Sequence, residues 1–375
     1  MRITKPTSFV FVCVLINVTL SLTMQPVSSQ VSTGAVPPAS PSGIASTPDP
    51  QLVQLRRQLA IHYMEPASHM AMAKYFWEKG DRLQAFYLLE YARRGRFPPA
   101  QFDQAFQKAF GGRRSPAESK QGEGSFNKGL ELIHAGETKQ AEEYFVRAAE
   151  LSPHSVVIQS WVGRFFFKER RNDLRALQFY LNAYFLDPHA YETEFVESRI
   201  RSINYDQATF RFRQLMQSRA SLEEILKEPN PTVLVLALEW VLEQWQPSYL
   251  KLLLQVMAHD DEEVRWLAHE AIKKNVDRSF DGDLKALLQD SDLRIRGLAA
   301  YISVHLWKQQ SFGILRDMLR DDAQLLRFDA ISALGLEGGS EGRQILIARR
   351  NLESHPALKR LIDVAIRPGV NKRER

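Results

Sequence analysis

The 375-residue chain reads as an all-α protein, an α-solenoid of stacked helix pairs. Three observations predict it. From residue 51 onward, apolar stripes of period 3.6 dominate and alternating strand patterns are almost absent. Gly, Pro, Asn and Asp punctuate these stripes at short intervals. The stripes also recur, with one period in the first half and another in the second. Composition agrees: 44% hydrophobic and 25% charged residues describe a globular chain long enough for a sizeable core. A mean hydropathy of −0.30 excludes a polytopic membrane protein.

The first segment carries an address. Residues 1–29 contain no acid, Arg2 and Lys5 start it, and Phe9 to Leu22 is an apolar run of fourteen. Val27-Ser28-Ser29 then offers small residues for cleavage before Gln30, the order of a secretory signal peptide. The run is shorter than the roughly 20 residues that a spanning helix needs, which disfavours a retained anchor. Cleavage removes Cys13, the single cysteine, and takes the net charge from +5 to +3 by removing Arg2 and Lys5. One cysteine excludes a disulfide framework, a cysteine-ligated zinc site and an iron–sulfur cluster. The only Asn-x-Thr after the signal, Asn230-Pro231-Thr232, is spoiled by its proline. An exported chain without disulfides or glycan acceptors points to a bacterial periplasm, with secretion as second choice. Membrane association is not expected after cleavage. Residues 30–50 hold five prolines and many Ser and Thr, the composition of a disordered linker.

Helix pairs follow over 51–220. Ala141, Phe145, Ala148 and Pro153 match Ala176, Tyr180, Ala183 and Pro188, each 35 residues on. Gly129 and Gly163 stand where a small residue lets two helices cross closely. Gly136-Glu137 turns the first copy, and the second has the longer Lys168 to Asp173. An earlier copy fits 66–98, with Ala73, Gly80-Asp81, Ala85, Ala92 and Pro98. Between copies, 99–112 reads as an extra helix with a Phe102, Phe106, Phe110 face. The jump from Ala85 to Ala141 breaks tandem spacing, which leaves direct stacking of copy one on copy two open. Residues 190–219 read as two further helices, a degenerate fourth unit. This half resembles the tetratricopeptide repeat, whose usual period is 34 residues.

The second half, 221–367, repeats at 31 residues. Ala237, Ala268, Ala299 and Ala330 keep that step, as do Arg265, Arg296 and Arg327. Asp260-Asp261, Asp290-Ser291-Asp292 and Asp321-Asp322 precede each second helix, and the first copy has Asn230 instead. A leucine-rich helix, then Asp-x-Asp, then Val-Arg-x-x-Ala, resembles HEAT-like repeats of the phycobilisome-lyase type. A fifth helix pair at 341–367 is expected to cap the stack, and 368–375 is a basic tail.

The chemistry of this sequence is sparse. The arginine series is read as structural, each guanidinium reaching an acidic turn, with an anion-binding ladder as the rival. His62, Glu65 and His69 are interrupted by Pro66, and His259 and His269 share no face, so no metal is expected. No cofactor motif, nucleophile elbow or phosphate loop appears. The basic clusters, Arg93-Arg94-Gly95-Arg96 among them, are read as solvated surface, and nucleic acid is not an expected partner.

What remains is a groove. The tetratricopeptide resemblance implies that the first helix of each pair lines a peptide-binding face. By offset from Ala73, Gly129 and Gly163, its residues are Lys74, Trp77, Leu130, His134, Arg164 and Lys168. Three cations beside aromatic surface suit an acidic or carboxylate-ended peptide. The sequence therefore reads as a non-enzymatic exported scaffold or adaptor. The alternative is an envelope enzyme or accessory lyase with its site in the concave face of the HEAT-like half.

Overall fold

In the computed structural model, the described residues are 49–93, 97–111, 116–188 and 191–367. The signal peptide, nearly all of the linker and the basic tail expected from the sequence lie outside them. Among the described residues the chain is helical throughout, with no strand. No described helix is long and apolar enough to cross a membrane. Asp49 and Pro50, read as linker, begin the folded body. Pro50 opens α1 (Pro50–Ile61), and the Asp49 carboxylate caps it by accepting from the Gln51 amide.

The first half follows the sequence pattern closely. Helices α2 (Pro66–Glu78) and α3 (Arg82–Arg93) form copy one, and α4 (Pro99–Phe110) is the extra helix. Copies two and three are α5 (Pro116–His134) with α6 (Thr138–Leu151), and α7 (Val156–Lys168) with α8 (Asp173–Leu186). The small residues do what the spacing requires. A Cβ on Gly129 would stand 2.9 Å from the Phe145 ring, and one on Gly163 would stand 2.8 Å from the Tyr180 ring. Gly80 and Gly136 take φ of 86° and 79° at the inter-helix turns, where glycine escapes the Cβ clash of left-handed backbone. Copy three puts Arg171 at this place, at φ 51°. Its turn closes one residue later, from the Asn172 amide to the Phe166 carbonyl, where copy two closes from Glu137 to Leu132.

One expectation fails here. Residues 190–219 do not form two helices; a single helix, α9, runs from Tyr191 to Gln217. The stretch contains no Gly or Pro, so nothing interrupts the backbone hydrogen-bond ladder.

In the second half the leading helices are short: α10 (Leu222–Ile225), α12 (Leu250–Val256), α14 (Asp281–Leu287) and α16 (Phe312–Met318). The second helices are long: α11 (Pro231–Glu243), α13 (Glu262–Asn275), α15 (Leu293–Trp307) and α17 (Gln324–Glu337). Helices α18 (Gly339–Arg350) and α19 (Pro356–Ala365) form the final pair. Most of the recurring turn residues are caps. Asp261 accepts from the Glu263 and Val264 amides, Asp292 from Arg294 and Asn230 from Thr232. Each satisfies an orphan amide at a helix start and places its negative end at the positive end of the helix dipole. Asp321 instead accepts from the amide of Ala323, the residue before α17, which has no side-chain cap.

The arginine series is structural in a different way from that expected. Arg265 Nη1 donates to the carbonyls of His259 and Asp260, and Arg327 Nη1 donates to those of Asp321 and Asp322. The acceptors are backbone carbonyls of the turn rather than its carboxylates. Arg296 does not repeat this: its Nε is buried without a hydrogen-bond partner.

The described residues form one compact unit, and its stacking order is not the chain order. Copy one packs on the second helix of copy three. Trp77 stacks on Phe185 at 4.1 Å, and Phe86 meets Tyr184 edge-on at 4.8 Å. Buried Asn204 of α9 ties this seam to the second half, donating to Tyr87 Oη and Thr232 Oγ1 at 2.7 Å each. Helix α1 and the residues after it then lie against α13, α15 and α17. The Tyr63 hydroxyl donates to Glu262 at 2.6 Å, the Met64 amide donates to Gln324 at 2.7 Å, and Tyr63 packs on Phe328.

Ala148, Ala183, Ala268 and Ala299 are all fully buried. Replacing any one with Leu adds atoms to a filled crossing and is expected to cost about 1–3 kcal/mol. Chemical denaturation checks it, and an unchanged midpoint at all four sites would invalidate the repeat register.

Candidate functional site

The residues proposed from sequence lie on three helices, α2, α5 and α7. Lys74 and Trp77 lie on α2, which packs with α1, α3 and α4; Arg164 and Lys168 lie on α7, which packs with α6, α8 and α9. Lys74 is exposed and sits 4.0 Å from Glu78 on its own helix. Trp77 is half-buried: Phe185 covers one side, and the Arg82 guanidinium lies 4.5 Å from the ring centre. His134 is exposed at the end of α5, and Leu130 is half-buried there. Of the set, Arg164 and Lys168 share an open helix face, together with Val157 and Trp161.

That face continues across three helices. Phe126 of α5 meets Trp161 of α7 edge-on at 6.0 Å. The Arg164 guanidinium lies over the Trp161 ring at 5.0 Å. Next along, Arg199 of α9 lies over Phe167 of α7 at 5.0 Å and Phe195 of its own helix at 4.8 Å. Trp161 and Phe195 keep 40% and 42% of their surface exposed, large values for side chains that usually bury most of theirs. Neither Arg164 nor Arg199 pairs with an acid among the described residues. Their neighbours do: Arg170 and Arg175 share Glu142, and Arg201 and Arg93 share Glu90 and Glu197.

Sequence reasoning missed Phe126, Phe195 and Arg199, although a signal exists. Phe126, Trp161 and Phe195 recur at 35 and 34 residues, and Arg164 and Arg199 at 35. Overlaying copy three on 190–219 as the start of one helix exposes that ladder.

The second half holds a different cluster. On α13, Trp266 and His269 pack against Tyr301 of α15 at 5.2 and 5.3 Å. Lys273 bridges Glu270 at 2.7 Å and Glu337 of α17 at 2.9 Å, and His305 lies 3.5 Å from Glu337. These polar groups pair with one another across α13, α15 and α17. His269 is fully buried, and neither ring nitrogen meets hydrogen-bond geometry. Burial, reinforced by the Lys273 charge, pushes its imidazole well below the ordinary range and keeps it neutral. The carboxylates here are shared by Lys273. Trp266, Met64, Leu293 and Phe328 pack against one apolar cluster.

A surface depression of about 370 Å³ lies between α16 and α18, lined by Arg316, Leu319, Arg320, Ile345 and Leu352 among others. Arg320, just past the end of α16, is 3.6 Å from Asp317 in an exposed pairing. Among the described residues no group of three or more His, Cys, Asp or Glu side chains could hold a metal ion. His62 pairs with Glu65, while His69 bonds the Tyr63 carbonyl instead. Comparison with protein-family models, curated proteins and solved structures finds no match for the chain.

Proposed function

We propose that this chain is a non-enzymatic exported scaffold that binds peptide segments of other proteins along the α5–α7–α9 face. One observation carries the reading. Exposed aromatic rings at repeat spacing alternate with guanidinium groups that pair with no acid among the described residues. A soluble chain gains nothing in stability from leaving Trp161 and Phe195 in water, and interface cores favour aromatic residues and arginine. The arginines suit an acidic peptide because no carboxylate among the described residues pairs with them. The periplasm is the proposed compartment, on the strength of the N-terminal segment and the missing disulfides. The lyase or enzyme alternative ranks lower because Lys273 takes up both Glu270 and Glu337, and His269 is buried and held neutral.

Affinity capture from an envelope extract tests the proposal. Arg164→Glu with Lys168→Glu is expected to abolish most partner recovery while leaving the thermal midpoint in place, since surface changes stay within about 0.5 kcal/mol. Added salt should weaken capture by the parent protein, because the contacts are partly exposed. Equal recovery by parent and variant at every salt concentration would remove this face as the binding surface.

A further inference from the structure

Helices α16 and α18 both pack on α17 and leave a cavity of about 370 Å³ between them. That size lies at the lower end of ligand clefts, about 300–1,000 Å³. The two helices are unequal, seven residues against twelve. At about 1.5 Å per residue the shorter can cover only part of the longer. The cavity floor is apolar. Leu319 and Ile345 are 2% and 9% exposed there, and Ala348 and Leu352 continue the lining along α18 and the residues after it. Leu352 keeps 71% of its surface in water, and Ile347 beside Ala348 keeps 44%. A scattered exposed leucine needs no explanation, whereas one that lines an apolar recess marks an interaction surface. Three arginines and one acid line the same cavity: Arg316, Arg320, Arg349 and Glu341. Among the described residues Arg316 makes no ion pair, and Arg320 meets only Asp317, exposed and 3.6 Å away. Arg349 is held by the buried Glu353 at 3.2 Å, and its Nε is buried with no hydrogen-bond partner. The recess is thus apolar beneath and positive at its rim.

We propose that this cavity is a docking groove for an acidic amphipathic helix of a partner protein. Apolar side chains of that helix fill the space over Leu319 and Ile345, and its acids meet Arg316 and Arg320. Charge selects the sign of the partner, since three cations against one acid attract a negative segment. Spacing selects its form. Ile345, Ala348 and Leu352 recur at i, i+3 and i+7, the rhythm that a partner helix matches with anchors of its own. Depth selects protein over a lipid surface. Leu319 and Ile345 lie beneath exposed side chains, where a protruding side chain reaches and a flat headgroup layer does not. The α5–α7–α9 face belongs to the first half of the chain and this groove to the second, so a scaffold with both holds two partners at once. The groove stands whether or not the α5–α7–α9 face binds peptides.

Model peptides are the probes. One carries leucine at i, i+3 and i+7 with glutamate on the flanking positions, the second has lysine in place of glutamate, and the third is a scrambled glutamate peptide. Each is titrated into the whole chain while the methyl signals of Leu319, Ile345, Ala348 and Leu352 are followed by NMR. Saturable shifts with the patterned glutamate peptide, and weak or absent ones with the other two, support the groove. Arg316→Glu with Arg320→Glu should weaken the glutamate peptide about tenfold or more, because like charges then face each other. Leu352→Asp should weaken it several-fold. These changes replace exposed side chains, so the thermal midpoint should stay in place. Shifts that ignore the charge or pattern of the peptide would overturn the proposal. So would undiminished binding by the double arginine variant, or no saturation by the glutamate peptide. Equal shifts from octanoate or from phosphatidylglycerol vesicles would also overturn it, reassigning the cavity to a small amphiphile or a membrane surface. Arg164→Glu with Lys168→Glu should leave this titration unchanged. Partner capture by that variant tests the α5–α7–α9 face separately, so either reading can fail while the other holds.

Discussion

Glu90→Ala is expected to lower stability by about 3–5 kcal/mol, the cost of breaking a buried charge cluster by removing one partner. Glu90 is 2% exposed. It accepts from Arg93 Nε at 2.9 Å, Arg201 at 3.0 Å and the Tyr184 hydroxyl at 2.5 Å, which joins α3, α8 and α9 at one carboxylate. Arg93 and Arg201 also reach Glu197, but Tyr184 is fully buried and would keep a hydroxyl with no acceptor. Burial pushes the Glu90 carboxyl up, and its contacts with Glu197, Arg93 and Tyr184 outweigh that and bring it down to about 2. The sign of the pH dependence follows. A carboxylate with a depressed folded-state pKa contributes stability that is present above its unfolded value, near 4.5. That contribution is lost as pH falls toward about 2. Denaturation of the parent and Glu90→Gln from pH 7 to pH 2 checks it. The gap between them should be full at neutral pH and close across the acid window. A gap constant over that range would mean that the charge of Glu90 does not hold the seam.

Asp260→Ala is the second large expected loss, again about 3–5 kcal/mol, with a local consequence as well. Asp260 takes both forks of Arg56 at 2.7 Å and Arg294 Nη1 at 2.9 Å. Burial pushes its carboxyl up, while the Arg56 and Arg294 partners prevail and hold it below the ordinary range. Arg294, itself 3% exposed, keeps Asp292 and two backbone carbonyls after the change. The Arg56 side chain bonds only to Asp260 among the described residues. Helix α1 should therefore loosen from the second half before that half unfolds. Amide exchange is expected to rise across 50–61 in the variant while α15 stays protected. A double-mutant cycle with Arg56→Ala should give a coupling of roughly 1 kcal/mol or more, as for directly bonded residues. If exchange in α1 does not change, Tyr63, Met64 and their apolar contacts hold the helix without the ion pair.

The sequence by itself determined the all-α class, both repeat periods and the small residues on which helices cross. These are local consequences of backbone geometry. Period-3.6 stripes mark helices, Gly136 must turn with positive φ, Gly163 must admit a tyrosine ring, and Asp261 and Asp292 must cap. Each needs only the residues of its own repeat. The continuous α9 was legible too, in the lack of any breaker between 191 and 217, but the expected helix pair was carried over from the repeat rule.

Tertiary structure alone decided the order of stacking. Trp77 was placed on the groove by offset, and copy one turns onto α8 so that Phe185 covers one side of that ring. Helix α1 crosses to a partner about 200 residues away, through Arg56 and Asp260. No periodicity encodes that pairing, because it depends on how far each preceding helix pair rotates the next. The candidate site divides along the same line. Arg164 and Lys168 were found from a single repeat's offset. Arg199 comes from another helix, α9, and reaches the same face over Phe167 of α7. Side chains meeting across three helices are fixed by packing distances, and those appear only when the stack is assembled.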